Sequence, residues 1–296
     1  MSSKLYFVIL FSLHCLLLAV VSHASETEIR YFQTDLRYEY RIKLLDLALS
    51  KNEKKWGAYL LIPESRKMTQ GRGALLLEYN EGVDVAFFPT SIEREIKFRA
   101  IQIPILQGIL GYRVLLINRD KLYEFSKIKT FKHLKQNYVA GFGEHWVDIT
   151  ILKANEIKVI GAPEYELLFA MLNRNRFDHF PRGINEAWNE IQKYKKKYPK
   201  IMIEPNIALY YPYYVYFFVS KNNKILADRI LNGLELALKD GSFKALFLEH
   251  HQHLFEQASL SSRRIFTLEN PSLPQKRGDP KLEWWLPPQL QERLLQ

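Results

Sequence analysis

Short apolar runs alternate along this chain with segments whose apolar positions recur every three to four residues, so strands and helices alternate. Glu28–Gln33 reads as a first strand, and Tyr38–Leu49 predicts a helix with Ile42, Leu45 and Leu49 on one face. Trp56–Ile62 forms a second strand stopped by Pro63, Met68–Tyr79 a helix, and Val83–Phe88 a third strand. A polar turn carrying Arg94 follows, then two extended apolar segments, Phe98–Ile105 and Tyr112–Ile117. Strands and helices alternating at this spacing predict a mostly parallel sheet.

After Ile117 the pattern restarts. Thr130 caps a short helix to Lys135; Tyr138–Gly141, Ile157–Ile160, Phe177–Phe180 and Ile201–Ile203 read as strands. Trp146–Ala154, Glu164–Asn173 and Asn185–Lys196 fill the gaps as helices. Tyr213–Ser220 runs extended, and Lys224–Lys239 is an amphipathic helix closed by Asp240-Gly241. From Leu260 the chain turns rich in Pro, Arg and Ser, an extended tail with one strand at Arg264–Leu268 and a Trp284-Trp285 pair. Two α/β units separated by apolar segments at 112–118 and 213–220 predict two lobes joined by two crossings. The expected boundaries are 25–117 plus 213–257 for the first lobe, 118–212 for the second and 258–296 for the tail.

Residues 1–24 read as a cleaved leader: Lys4, the apolar run Leu5–Val21, then Ser22-His23-Ala24 with small residues where a signal peptidase cuts. A retained membrane anchor is the rival reading, since the run approaches spanning length. The only cysteine, Cys15, leaves with the leader, so the mature chain has no disulfide and no thiol nucleophile. The expected location is the periplasm. The net charge of +10 is spread along the chain rather than gathered in one arm. Export argues against nucleic acid; a small anionic ligand, or simple solubility, explains the charge as well.

Arg94 is the foremost candidate, because its planar fork of donors suits bidentate recognition of a carboxylate. A surface ion pair with Glu93 or Glu95 is the alternative. In Gly141-Phe142-Gly143-Glu144-His145-Trp146, glycines before a helix start let backbone N–H groups face an anion. Trp146 breaks the Gly-x-Gly-x-x-Gly pattern, which weakens a dinucleotide reading. His250, His251 and His253 are too closely spaced to make one tetrahedral metal site. No metal and no cofactor is expected.

The strand Val83–Phe88 with its Thr90-Ser91 turn and Glu93-Arg94 resembles the family 3 extracytoplasmic solute-binding proteins. So do Asn175-Arg176-Phe177-Asp178 before a strand and Lys239-Asp240-Gly241-Ser242-Phe243; the resemblance covers about residues 28–255. It implies the α/β type II periplasmic-binding-protein fold, two lobes each built on a mostly parallel sheet flanked by helices. Arg94 would then clamp a ligand carboxylate, with Phe87 and Thr90 beside it and Gly143, Glu144 and Trp146 opposite. Pro89, which lacks an N–H, stands where the family usually has a hydroxyl residue, so Thr90 would supply that contact. Arg182 and Gly183 stand where the family places an ammonium-binding Asp: either Glu186 substitutes, or Arg182 meets a second anionic group. Asp35 and Tyr38 follow the first strand, where loops commonly reach the cleft.

The function implied is capture of a small polar, anionic or amino-acid-like ligand by a monomer that serves an inner-membrane transporter or a sensor. Two alternatives stand beside it. One is a periplasmic enzyme on the same scaffold, dehydratase-like or lytic-transglycosylase-like, with Glu144 as general acid. The other is an orphan interaction module.

Overall fold

A computed structural model describes residues 26–66, 68–144 and 146–273. The predicted leader and the Trp284-Trp285 end of the tail lie outside the described residues.

Strands β1 (Thr27–Tyr31) and β2 (Tyr59–Pro63) pair in parallel. Beside them β10 (Val215–Ser220) lies antiparallel between β3 (Val85–Pro89) and β4 (Phe98–Ile101). The Arg30 carbonyl accepts the Asp84 N–H at 2.9 Å, and the Gln33 amide bonds in both directions to the Phe87 backbone. These bonds tie the two groups of strands into one lobe. Helices Glu39–Ser50, Lys224–Lys239 and Ser242–Ala258 pack together on it. The second lobe is a six-stranded sheet in the order β11 (Arg264–Thr267), β9 (Ile201–Tyr210), β5 (Tyr112–Asn118), β8 (His179–Gly183), β6 (Val139–Gly143), β7 (Lys158–Ala162). All its neighbouring pairs are parallel except those of β5, which runs against both β8 and β9.

The unbroken apolar runs have a simple cause. β5 and β10 are buried at every residue, covered on both faces, so alternation is lost. In the first lobe the pleat sorts side chains by face: Phe87 and Phe217 join the main core, while Ala86, Phe88 and Phe218 join an aromatic cluster with Phe32, Leu77 and Phe98.

Three differences from the sequence expectations have physical reasons. β9 extends to Tyr210, past the Pro205 at which the pattern breaks, because residues 204–207 bulge out opposite Leu115. The bulge is held by the Glu204 carboxylate, which accepts the N–H groups of Asn206 and Ile207, and by the Arg263 guanidinium on the carbonyls of Glu204 and Ile207. The stretch after Gly241 is a helix, Ser242–Ala258, with Phe243, Phe247, His251, Leu254 and Ala258 buried along one face. Arg94 rides on a short helix, Ile92–Lys97, rather than an open turn; the Ser91 hydroxyl caps it by accepting the Arg94 N–H.

The boundary drawn from sequence at 117 cuts through β5, whose backbone pairs belong wholly to the six-stranded sheet. The connections between lobes are therefore 102–111 and 211–214. They touch at Gly111, whose carbonyl accepts the Tyr211 N–H; a Cβ there would lie 2.4 Å from the Tyr211 oxygen. The segment assigned to the tail adds two more: residues 259–263 lead from the helix Ser242–Ala258 to β11, and the chain then returns to the first lobe. After β11 pairs with β9, the Asn155 amide bonds Glu269 in both directions and the Asn270 amide donates to the Pro212 carbonyl at 2.8 Å. Ser272 then accepts the Ile92 N–H at 3.0 Å, and Leu273 packs on the aromatic cluster of the first lobe. Residues 268–273 thus strap one lobe to the other.

Among the described residues no helix is long and apolar enough to cross a membrane. Nor does any group of three or more His, Asp or Glu side chains among them stand where it could hold a metal ion.

Candidate functional site

The strand order sets the place of the cleft. β1, β3, β6 and β8 end toward it, as expected where ligands bind beyond the carboxyl ends of strands. The opening has a volume of about 810 Å³ and is lined from both lobes. From the first lobe come Phe32–Tyr38 after β1, Arg41 on the following helix, Phe87 and Pro89 of β3, and Arg94. The connections add Leu110 and Tyr213; the second lobe adds Arg113, Phe142, Trp146–Asp148, Arg182 and Glu186.

Six residues expected from sequence meet here: Arg94, Phe87, Asp35 and Tyr38 from one side, Trp146 and Arg182 from the other. Three do not line the cleft. Thr90 is buried, its hydroxyl donating to Glu95 at 2.5 Å and its N–H to the Tyr214 carbonyl. Gly143 is covered by the Trp146 indole; a Cβ there would fall 2.6 Å from that ring. Glu144 is exposed and faces Gly161. The Glu144 N–H donates to Ala162 and the Trp146 N–H to Gly143, while Asp148 occupies the start of the helix Asp148–Ala154.

The sequence reading missed Arg41, Arg113, Asp148 and Tyr213, all of which line the cleft. Arg113 and Asp148 form a buried pair, Nη2 to Oδ1 at 2.8 Å. Asp148 also accepts the hydroxyls of Tyr211 at 2.5 Å and Tyr213 at 2.8 Å. Arg113 stands 5.3 and 5.1 Å from the centres of those two rings. Burial opposes charge on Arg113, but Tyr211, Asp148 and Glu186 overcome it and hold the guanidinium above its ordinary pKa. The signal that would have found this network was a lone cation inside an otherwise apolar central strand.

Arg182 is equally engaged. Its Nε and Nη2 grip Glu190 at 2.8 and 2.6 Å, Nη2 reaches Glu186 at 3.1 Å, and Trp146 and Phe180 stack about it at 5.1 and 4.9 Å. Glu186 also accepts the Gly183 N–H and lies 3.6 Å from Arg113. Burial alone would raise the Glu186 pKa; Arg182, Arg113 and Arg41 keep it below the usual carboxylate range.

Arg94 and Arg41 differ from these. Arg94 donates one N–H to the Pro89 carbonyl at 2.5 Å and sits 5.1 Å over the Phe88 ring; no carboxylate among the described residues lies at salt-bridge distance from it. Arg41 lies 4.8 Å from the Tyr38 ring and 5.0 Å from the Phe87 ring, likewise without a carboxylate at salt-bridge distance. Burial depresses the pKa of both, opposed from a distance by Tyr38, Glu186 and Tyr213 for Arg41 and by Tyr213, Glu93 and Asp148 for Arg94.

No family model matches the chain, and no curated protein matches it. Solved structures do. The ligand-binding core of GluR0 from Nostoc punctiforme, in complex with L-glutamate, matches at 16% identity and a TM-score of 0.51 over 76% of this chain and 97% of that one. An ancestral arginine-binding protein bound to arginine matches at 18% and 0.52 over 71% and 87%. A histidine kinase sensor domain with similarity to periplasmic binding proteins matches at 13% and 0.52 over 76% and 96%. The chain has the type II periplasmic-binding-protein fold. In that fold the cleft just described is the space between the lobes, and the segments at 102–111 and 211–214 are its hinge.

Proposed function

We propose that this periplasmic-binding-type chain is an extracytoplasmic solute-binding protein. It would close its two lobes over a small polar solute, anionic or amino-acid-like, and hand the bound state to a transporter or a sensor. The observation that carries this reading is Arg94: a partly buried guanidinium, with no carboxylate among the described residues at salt-bridge distance, lining an opening shared by both lobes. A cleft of this volume, walled by aromatic side chains and a few placed charges, is the usual form of a small-molecule site. A solute bound by Arg94 on one lobe and by the Trp146–Asp148 and Glu186 wall on the other favours closure through that difference in contacts.

Catalysis has less support. Glu144, the candidate acid, is exposed outside the cleft. The carboxylates that do face the cleft from the second lobe, Asp148 and Glu186, are ion-paired, which makes them poor proton donors.

The test is a thermal-shift screen of the protein against amino acids, dicarboxylates and small peptides, followed by calorimetry with the wild type and Arg94→Ala. Stoichiometric binding without consumption of the ligand supports the reading, with Arg94→Ala weakening it by about 2–5 kcal/mol. Turnover of a compound, or unchanged affinity in Arg94→Ala, contradicts it.

A further inference from the structure

We infer that the solute is a dicarboxylate that needs no ammonium group, one carboxylate held by Arg94 and the other by Arg41. This deepens the solute-binding reading and rests on it. The inference comes from matching every charge around the cleft to its partner. On the second lobe the match is complete: Arg113 with Asp148 at 2.8 Å, and Arg182 with Glu190 at 2.6 Å and Glu186 at 3.1 Å. At the rim Arg37 answers Asp35 at 3.8 Å, and Asp35 also accepts the Arg37 N–H.

Within the cleft walls no carboxylate is therefore left for a ligand cation; the exposed Asp35 at the rim is the one acid held only by a weak surface pair. An ammonium group deep in the cleft could be neutralised only by drawing Glu186 or Asp148 away from a guanidinium, and breaking such a buried pair strands a charge. Two cations, both on the first lobe, have no carboxylate among the described residues at salt-bridge distance, and the cleft groups as a whole, five arginines against Asp35, Asp148, Glu186 and Glu190, carry one positive charge in excess. Arg94 offers the fork left over from its single bond to Pro89, and Arg41 offers a whole guanidinium laid against Tyr38 and Phe87. Both line the same opening, together with Tyr213. Two planar forks on one wall fit two carboxylates on a short carbon chain, each accepting paired N–H donors.

The test is calorimetry of the purified protein with glutarate and succinate against L-glutamate, L-glutamine, L-arginine and butyrate. Glutarate or succinate is expected to bind tighter than glutamine and arginine by about tenfold or more. Glutarate is expected to bind at least as tightly as glutamate, because the added ammonium gains no partner. In Arg41→Gln, whose fold is checked by its melting temperature, the ratio of glutarate to butyrate affinity is expected to fall about tenfold. In Arg41→Lys, with charge kept and fork lost, the fall is expected to be smaller.

If glutamine or arginine binds tighter than both dicarboxylates, the dicarboxylate inference is overturned while the solute-binding reading stands. The same holds if Arg41→Gln weakens glutarate and butyrate equally. If neither dicarboxylates, amino acids nor butyrate bind, both fall together.

Discussion

The four arginines that face the cleft within its walls divide by lobe. Arg113 and Arg182, on the six-stranded sheet, are buried in cages of carboxylates and aromatic rings. Arg41 and Arg94, on the first lobe, have rings beside them but no carboxylate among the described residues at pairing distance. The same side chain thus has two uses. Where a partner is built in, the guanidinium fixes the wall; where it is withheld, burial leaves a demand that a ligand can meet. The direction of the pKa shifts follows the division, upward for the caged pair and downward for the open pair.

The comparison is broken most sharply by removing a caging carboxylate. Asp148→Asn leaves Arg113 charged and buried and unseats the hydroxyls of Tyr211 and Tyr213. We expect a loss of about 3–5 kcal/mol in urea denaturation. Arg94→Ala and Arg41→Ala, by contrast, remove cations that have no such carboxylate at pairing distance. Stability is expected to change by no more than about 1 kcal/mol. If all three variants are equally destabilised, the division between wall and ligand-facing arginines is wrong.

A second buried group sharpens the picture of the six-stranded lobe. His179 on β8 is fully buried, neither ring nitrogen has a hydrogen-bond partner, and burial pushes its pKa down to about 4. A histidine depressed in the folded state keeps its contribution above the unfolded value near 6.5 and loses it as the pH falls toward 4. Denaturation followed from pH 7 to pH 4 should show stability falling through that window, by about 3 kcal/mol from this group. His179→Phe should flatten the slope. His251, on the helix of the other lobe against Tyr40 and Phe247, has a pKa lowered to about 3 by burial and adds in the same direction. A slope unchanged in His179→Phe would locate the acid sensitivity elsewhere.

Part of this was legible in the chain and part was not, and the line between them is physical. Val83–Phe88, Tyr112–Ile117 and Tyr213–Ser220 announced themselves because strands covered on both faces are almost wholly apolar, with only Asp84, Arg113 and Ser220 interrupting them. Arg94, Trp146 and Arg182 were found because each stands at the end of an apolar run, where strands deliver side chains to an edge. The caged network escaped because its partners are far apart in sequence, Arg113 from Asp148 by 35 residues and Asp148 from Tyr213 by 65. Arg41 looked like one more polar position on an amphipathic helix; only the fold shows that its face is the cleft wall. β9 was cut short because Pro205 reads as a stop, whereas the Glu204 carboxylate carries the chain through it.

The smallest expected effect concerns the strap that joins the unlike lobes. Residues 268–273 bond the second lobe through Asn155, the hinge through Asn270, and the first lobe through Ser272 and Leu273. A covalent tie across a hinge biases the balance of open and closed forms only if its contacts differ between them. Asn270→Ala removes one bond to the Pro212 carbonyl, at the hinge itself, and should cost about 1 kcal/mol of global stability or less. Asn155→Ala removes two bonds to Glu269 beside the six-stranded lobe and should cost about as much. The two therefore match in denaturation but part in binding: Asn270→Ala is expected to shift solute affinity, and Asn155→Ala to leave it unchanged. Equal affinities in the two variants, measured by calorimetry with the tightest solute of the screen, would make the strap a staple with no part in closure.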